Sequence, residues 1–227
     1  MPIGAGIIQI NKISVYSTTS ELFNIVPDGY TTCGNSITFN ILVNNTNPSR
    51  ASTIGSVFVM DQITGVQLAT GSLSGGAASL SATLPSGYIN PFVLYDGYIN
   101  KFSPSKSDGY GLYYINTIKT KTTVTTTPGD TFRFGSNFTI HGNVVRDDSG
   151  FPTGTLTFNL YSDNINFVTL GTSSIDGSGN ASAIIPANST TVGNSYWINI
   201  IFIPSNACYS GSSTPSGESG TVITAVS

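Results

Sequence analysis

Apolar and polar residues alternate along several short stretches of the chain. Ile37, Phe39, Ile41 and Val43 point one way, and Thr38, Asn40 and Leu42 the other. Phe138, Ile140 and Val144 repeat the pattern a hundred residues later, with Gly142 in the third inward slot. Leu156, Phe158 and Leu160 alternate with Thr155, Thr157 and Asn159. A period of two is that of a strand with one buried face. Turn formers separate the runs, among them Gly75-Gly76, Asp147-Asp148-Ser149-Gly150 and Asp176-Gly177-Ser178-Gly179-Asn180. Many short strands between such turns predict a β-sandwich.

The pattern occurs twice. Pro27-Asp28-Gly29 precedes Gly34-Asn35-Ser36-Ile37-Thr38-Phe39, and Pro128-Gly129-Asp130 precedes Gly135-Ser136-Asn137-Phe138-Thr139-Ile140. Both prolines and both glycines are offset by 101 (128 − 27; 135 − 34). Ile54-Gly55-Ser56-Val57-Phe58-Val59 corresponds to Thr153-Gly154-Thr155-Leu156-Thr157-Phe158. Ala82-Thr83-Leu84-Pro85 matches Ala183-Ile184-Ile185-Pro186, again at 101 (183 − 82). The stretch from Tyr95 pairs with that from Phe202, at 107 (202 − 95). The expected organisation is an N-terminal extension over 1–19 and two sandwiches of about seven strands each over 20–118 and 119–227. The last strand of the first (about Gly111–Ile118) leads almost directly into the first strand of the second (about Lys121–Thr127). The opening strand of the first sandwich is Glu21–Val26 or, alternatively, Lys12–Ser17. The extension carries Ile3, Ile7, Ile8 and Ile10. Leaving each in water costs about 1.5–3 kcal/mol relative to burial. The segment either folds back on its own domain or acts as an assembly arm that adds to a neighbouring subunit.

Thr122-Thr123-Val124-Thr125-Thr126-Thr127-Pro128, Gly135 and Pro152-Thr153-Gly154-Thr155-Leu156-Thr157-Phe158 resemble the bacterial immunoglobulin-like (Big-type) repeat. That family follows a threonine-rich strand with a glycine and a P-T-G-x-hydrophobic-x-F run. The D-x-x-G turn has its counterpart in Asp176-Gly177-Ser178-Gly179, and the closing stretch in Ile203–Tyr209. The match covers Thr120–Ser227; the first unit departs at Ser52-Thr53-Ile54-Gly55, which lacks the proline. The resemblance implies an all-β chain of two tandem immunoglobulin-like β-sandwich domains with an apolar N-terminal extension. It also implies the family's settings: bacterial surface proteins, and decoration of phage capsids and tails.

Charged residues make up 8% of the chain, against about 25% in an average soluble protein. Net charge is −3 and no Lys/Arg cluster exists, which argues against nucleic acid as a partner. Met1 is expected to be the true start, because no basic, apolar and cleavable leader follows it. No run of 18 or more apolar residues predicts a membrane span. The two cysteines, Cys33 and Cys208, are expected to be free thiols. The lone His141 falls mid-strand on the predicted outward face, away from any nucleophile pattern. Asp147-Asp148 is the only adjacent acid pair and reads as a turn. The Asp176–Asn180 loop and Asp163-Asn164-Ile165-Asn166 offer oxygens at alternate positions, but with too few carboxylates for calcium. No catalytic, cofactor or metal site is expected.

Exposed aromatics suit glycan or protein contacts, and Tyr88, Tyr98 and Tyr110 are the candidates chosen. Tyr113, Tyr114 and Trp197 read instead as packing residues. The expected function is that of a non-enzymatic structural virion protein, a capsid decoration or fibre-type unit on the virion surface. It would be anchored to a lattice of other virion proteins, as a homo-oligomer or part of a large assembly, with weak host-surface or glycan contacts. The alternative is an extracellular, cell-surface or filament adhesion protein of a prokaryote.

Overall fold

A computed structural model describes residues 15–47, 53–99, 101–127, 129–162, 166–186, 189–215 and 221–227. The arm residues Ile3, Ile7, Ile8 and Ile10 lie outside these, as does Asp163. The described chain is all-β, and it divides into two compact units, Met1–Asn116 and Thr117–Ser227.

In the first unit, β1 (Thr18–Val26), β3 (Ser36–Asn45) and β6 (Ala77–Thr83) form an antiparallel sheet in the order β1-β3-β6. A second set runs β5-β4-β8-β9, from β4 (Ser56–Asp61), β5 (Gln67–Ser72), β8 (Pro91–Tyr95) and β9 (Ser105–Lys106). A third runs β2-β10-β7, from β2 (Tyr30–Thr32), β7 (Gly87–Ile89) and β10 (Tyr113–Asn116). Of the two alternatives for the opening strand, Glu21–Val26 lies inside β1. The alternating residues of β3 are all buried, together with Ile25, Val57, Val59, Val93 and Ile115. Two tyrosines reach out of this core by their hydroxyls alone: Tyr95 donates to the Ile54 carbonyl at 2.6 Å and Tyr113 to the Pro27 carbonyl at 2.7 Å. Burial pushes both phenols above their ordinary pKa, and at Tyr113 the nearby Asp28 and Tyr110 add to it.

Asp61, only 1% exposed, organises the end of β4. Its carboxylate accepts from the backbone N–H of Ile63 (3.1 Å), Thr64 (3.2 Å) and Asn90 (2.8 Å) and from the Thr64 hydroxyl (2.6 Å). Burial by itself would raise its pKa; the Thr64 hydroxyl and the three backbone donors outweigh that and hold it below the ordinary carboxylate value. Because the folded pKa is depressed, the ionised form stabilises the fold above the unfolded value of about 3.9. That contribution is lost as pH falls through the folded pKa. Asp61→Ala leaves buried donors unpaired and is expected to cost about 3 kcal/mol at pH 7. Calorimetry of wild type and variant should show the gap narrowing below about pH 4; a gap independent of pH would contradict this role.

In the second unit, β11 (Thr120–Thr127), β13 (Phe138–Arg146) and β16 (Asn180–Ile185) form one sheet in the order β11-β13-β16. The other runs β12-β19-β17-β14-β15, from β12 (Thr131–Arg133), β14 (Gly154–Tyr161), β15 (Phe167–Ser174), β17 (Ser195–Pro204) and β19 (Thr221–Val226). β18 (Ser212–Ser213) pairs with β17. Both sheets contribute to one core that includes Phe138, Ile140, Val144, Leu156, Phe158, Ile198, Ile200, Phe202 and Ile223, which is the arrangement of a β-sandwich. Gly142 belongs to its inward row. A Cβ there would meet Leu156 Cδ1 at 2.5 Å and Ile200 Cδ1 at 3.1 Å, so those two side chains fill the place that Ile41 fills in β3.

The pairing order repeats between units, down to a parallel strand at the same place: β2 on β10 and β12 on β19. The turns before β3 and β13 both carry a left-handed glycine, Gly34 (φ 90°) and Gly135 (φ 83°), a conformation that other residues adopt at a cost. Two differences stand out. In unit 1 the strand equivalent to β17 is broken into β7 and β8 at Asn90-Pro91. Pro91 has no N–H for a ladder, and the Asn90 N–H turns to Asp61. The other difference corrects the constant offset of 101. Phe39 pairs with Leu80, whereas its counterpart Ile140 pairs with Ala183, an offset of 103 (183 − 80). Relative to the sequence match, β16 has slipped by two residues. Because side chains alternate with period two, the slip leaves every residue on its face.

Cys33 and Cys208 are both disulfide-bonded, which corrects the expectation of free thiols. The count and spacing of cysteines were a poor guide, because bonding is decided by the geometry of the folded backbone.

Candidate functional site

The sheet β2-β10-β7 presents one face to the core and one to solvent. Thr31, Tyr113, Ile115 and Ile89 are buried; Tyr30, Tyr114 and Tyr88 alternate with them and point out. The register sets these three tyrosines in a single row: Tyr114 is opposite Tyr30 on one side and opposite Tyr88 on the other. Adjacent strands lie about 4.8 Å apart, so the row spans about 10 Å between its outer Cα atoms. Exposure is 65% at Tyr30, 36% at Tyr114 and 61% at Tyr88. The Tyr88 and Tyr114 rings hold each other with centroids 4.5 Å apart.

The strands beneath are firmly tied. Tyr113 is anchored through its hydroxyl to Pro27, the Asn116 side-chain amide donates to the Thr31 carbonyl at 3.3 Å, and the Cys33 N–H donates to the Asn116 carbonyl at 2.8 Å. None of the three strands carries a charged residue. The chemistry on offer is therefore aromatic faces, phenolic hydroxyls and amides, in a fixed arrangement.

Of the three tyrosines singled out from the sequence, only Tyr88 belongs to this row. Tyr98 borders a groove of about 850 Å³ lined also by Val15, Gly55, Ile99, Phe102 and Pro104. Its backbone exchanges hydrogen bonds with Phe102, whose ring meets Tyr16 at 6.3 Å. Tyr110 lies between β9 and β10, with its N–H on the Pro91 carbonyl. Tyr30 has no sequence signal, and Tyr114, which the sequence suggests as a packing residue, is 36% exposed on the outward face; the parallel register of β2 on β10 that joins them has no local signature.

Unit 2 carries a second row. Phe167, Tyr161, Trp197 and Val222 stand opposite one another across β15, β14, β17 and β19. The Phe167 and Tyr161 rings stack at 5.1 Å. Trp197 is half-buried on this outward face and does not belong to the buried core.

Two further carboxylates, Asp148 and Asp176, are engaged in local structure. Asp148 takes a two-point ion pair from Arg146, whose Nε lies 2.6 Å from Oδ1, and this pairing lowers the Asp148 pKa. The Asp147 N–H is bonded to the Lys119 carbonyl. Asp176 Oδ1 accepts from the N–H of Ser178 (2.8 Å) and Asn180 (2.9 Å), and these bonds lower its pKa; the loop thus uses its only carboxylate on its own backbone. His141 is exposed on β13 opposite Thr125 and Ser182. Among the described residues no three His, Cys, Asp or Glu side chains come together as metal ligands would.

The backbone is similar to several solved structures. One is a tetra-tandem repeat from the extending region of a large adhesion protein, with TM-score 0.44 and 13% identity over 90% of this chain and 50% of that one. Another is the Yersinia pseudotuberculosis adhesin InvE, with TM-score 0.38 and 12% identity over 90% of this chain and 56% of that one. A third is E. coli alpha-2-macroglobulin, with TM-score 0.30 and 10% identity over 93% of this chain and 14% of that one. The chain spans about half the length of the first two. No protein-family model matches it, and no curated protein does.

Proposed function

We propose that the chain is a non-enzymatic structural and adhesive protein of a prokaryotic cell surface or surface filament. It is built of two tandem immunoglobulin-like domains of the Big-type, and works by presenting rigid, nearly uncharged surfaces to neighbours in a lattice and to the outside. The observation that carries this is the state of the cysteines. Both are in disulfides, which form and persist in oxidising surroundings such as cell and virion surfaces. The arm invoked for the capsid reading lies outside the described residues.

Alkylation of the protein as its source produces it tests the location. The native protein should take up no thiol reagent and should gain two adducts only after reduction, and antibodies should label the surface of intact cells. Thiols that react without reduction, in protein confined to the cytoplasm, would overturn the proposal. Labelling restricted to virus particles would replace it with the capsid reading.

A further inference from the structure

We infer that the row Tyr30–Tyr114–Tyr88 is a binding platform for an uncharged polysaccharide. This rests on the extracellular adhesive reading above and names the ligand class for it.

Three observations lead there. First, the row is exposed although aromatic: Tyr30 and Tyr88 keep well over half of their surface in water, and tyrosine so placed combines a large apolar face with a hydroxyl that stays hydrogen-bonded. A pyranose ring has the complementary make-up, with C–H groups on its face and hydroxyls around its rim. Second, the row by itself is smaller than a stable protein interface. An aromatic side chain buries about 150–250 Å², so at these exposures the three tyrosines present on the order of 300 Å². A stable protein interface needs about 800 Å² from each partner. A few sugar residues fit the smaller figure. Third, β2, β10 and β7 carry no charge. An anionic polymer finds no cation on these strands to compensate its desolvation, whereas the hydroxyls of a neutral one are much less costly to desolvate and can be met by phenol and amide groups.

Pre-organisation strengthens the case. The row sits on strands held from beneath by the Tyr113, Asn116 and Cys33 hydrogen bonds, and tyrosine loses few rotamers on binding. A ligand therefore pays little to order the site. A single row gives weak binding, which many copies on one surface convert to avidity.

Affinity electrophoresis of the full chain tests this directly. Gels would contain a mixed-linkage β-glucan, a glucomannan, starch or a neutral arabinoxylan, with alginate as the anionic comparison. Retardation is expected in at least one neutral gel and not in alginate. Tyr30→Ala and Tyr88→Ala should each raise the apparent Kd at least tenfold with unchanged circular dichroism. Tyr88→Trp should retain binding, and Trp197→Ala should leave it as in wild type. No retardation in any neutral gel would overturn the inference, as would equal retardation in alginate, or a loss caused by Trp197→Ala and not by the tyrosine variants. None of these results bears on the alkylation and labelling outcomes, so the ligand and the location can fail separately.

Discussion

Phe158→Ala is expected to destabilise the second unit by about 3–5 kcal/mol. The side chain is fully buried, and it stands on β14 opposite Gly171 on one side and Ile200 on the other. Gly171 has no side chain to move into the vacated space, and the rigid β-branched Ile200 relaxes little. The variant therefore loses both the transfer energy of the ring and the contacts that a collapsed cavity would restore. Against a total stability of about 5–15 kcal/mol, that loss is large. The chain has one tryptophan, Trp197, and it lies in this unit. Its fluorescence during urea unfolding thus reports on unit 2, and the midpoint should fall with little change in slope. A shift worth less than about 1 kcal/mol would mean that the core around Phe158 repacks freely.

Gly179→Ala should cost a similar amount for a different reason. Gly179 has φ 76°, and a Cβ there would lie 2.2 Å from the Val144 carbonyl oxygen and 2.9 Å from Phe151 Cδ1. The left-handed conformation alone costs an L-residue about 1–2 kcal/mol. The collision with a backbone oxygen adds to this, because Val144 is held in place by its own N–H bond to the Gly179 carbonyl at 2.9 Å. A total of about 3 kcal/mol or more is expected. Gly76 is the counterpart in unit 1, with φ 88° and its nearest contacts at 3.1 Å. Gly76→Ala should cost about the conformational 1–2 kcal/mol, plus a smaller crowding cost against the Val43 carbonyl and the Thr53 hydroxyl. Equal losses at the two positions, measured by calorimetry, would show that the collision contributes nothing.

The strands themselves were legible in the sequence. The alternation of Ile37–Val43, of Phe138–Val144 and of Leu156–Leu160 is a local property that burial of one sheet face imposes directly, and all these inward positions are buried. What joins strands was less legible. The slip of β16 leaves no trace in a period of two, so matching Ala82–Pro85 to Ala183–Pro186 looked sound. The tyrosine row depends on three short strands meeting from distant parts of the chain, and Tyr30 and Tyr114 are separated by 84 residues (114 − 30). Trp197 stands half-buried in an outward row that only the register across β14, β15 and β19 reveals. The cysteines carried no local signal at all.

The two-residue slip also bears on how such repeats change over time. Once a segment is copied, single-residue insertions or deletions inside a strand invert its faces from that point on. Adding one residue early in β16 would turn the inward set of Ala181, Ala183 and Ile185 outward and bring Ser182 and Ile184 in against the core. Two such changes in the same strand restore the faces and shift only which neighbours meet. Copies of this unit are therefore free to drift in register by even steps, while odd steps are confined to the turns. Two copies can in this way diverge far in sequence and still keep the same strand order.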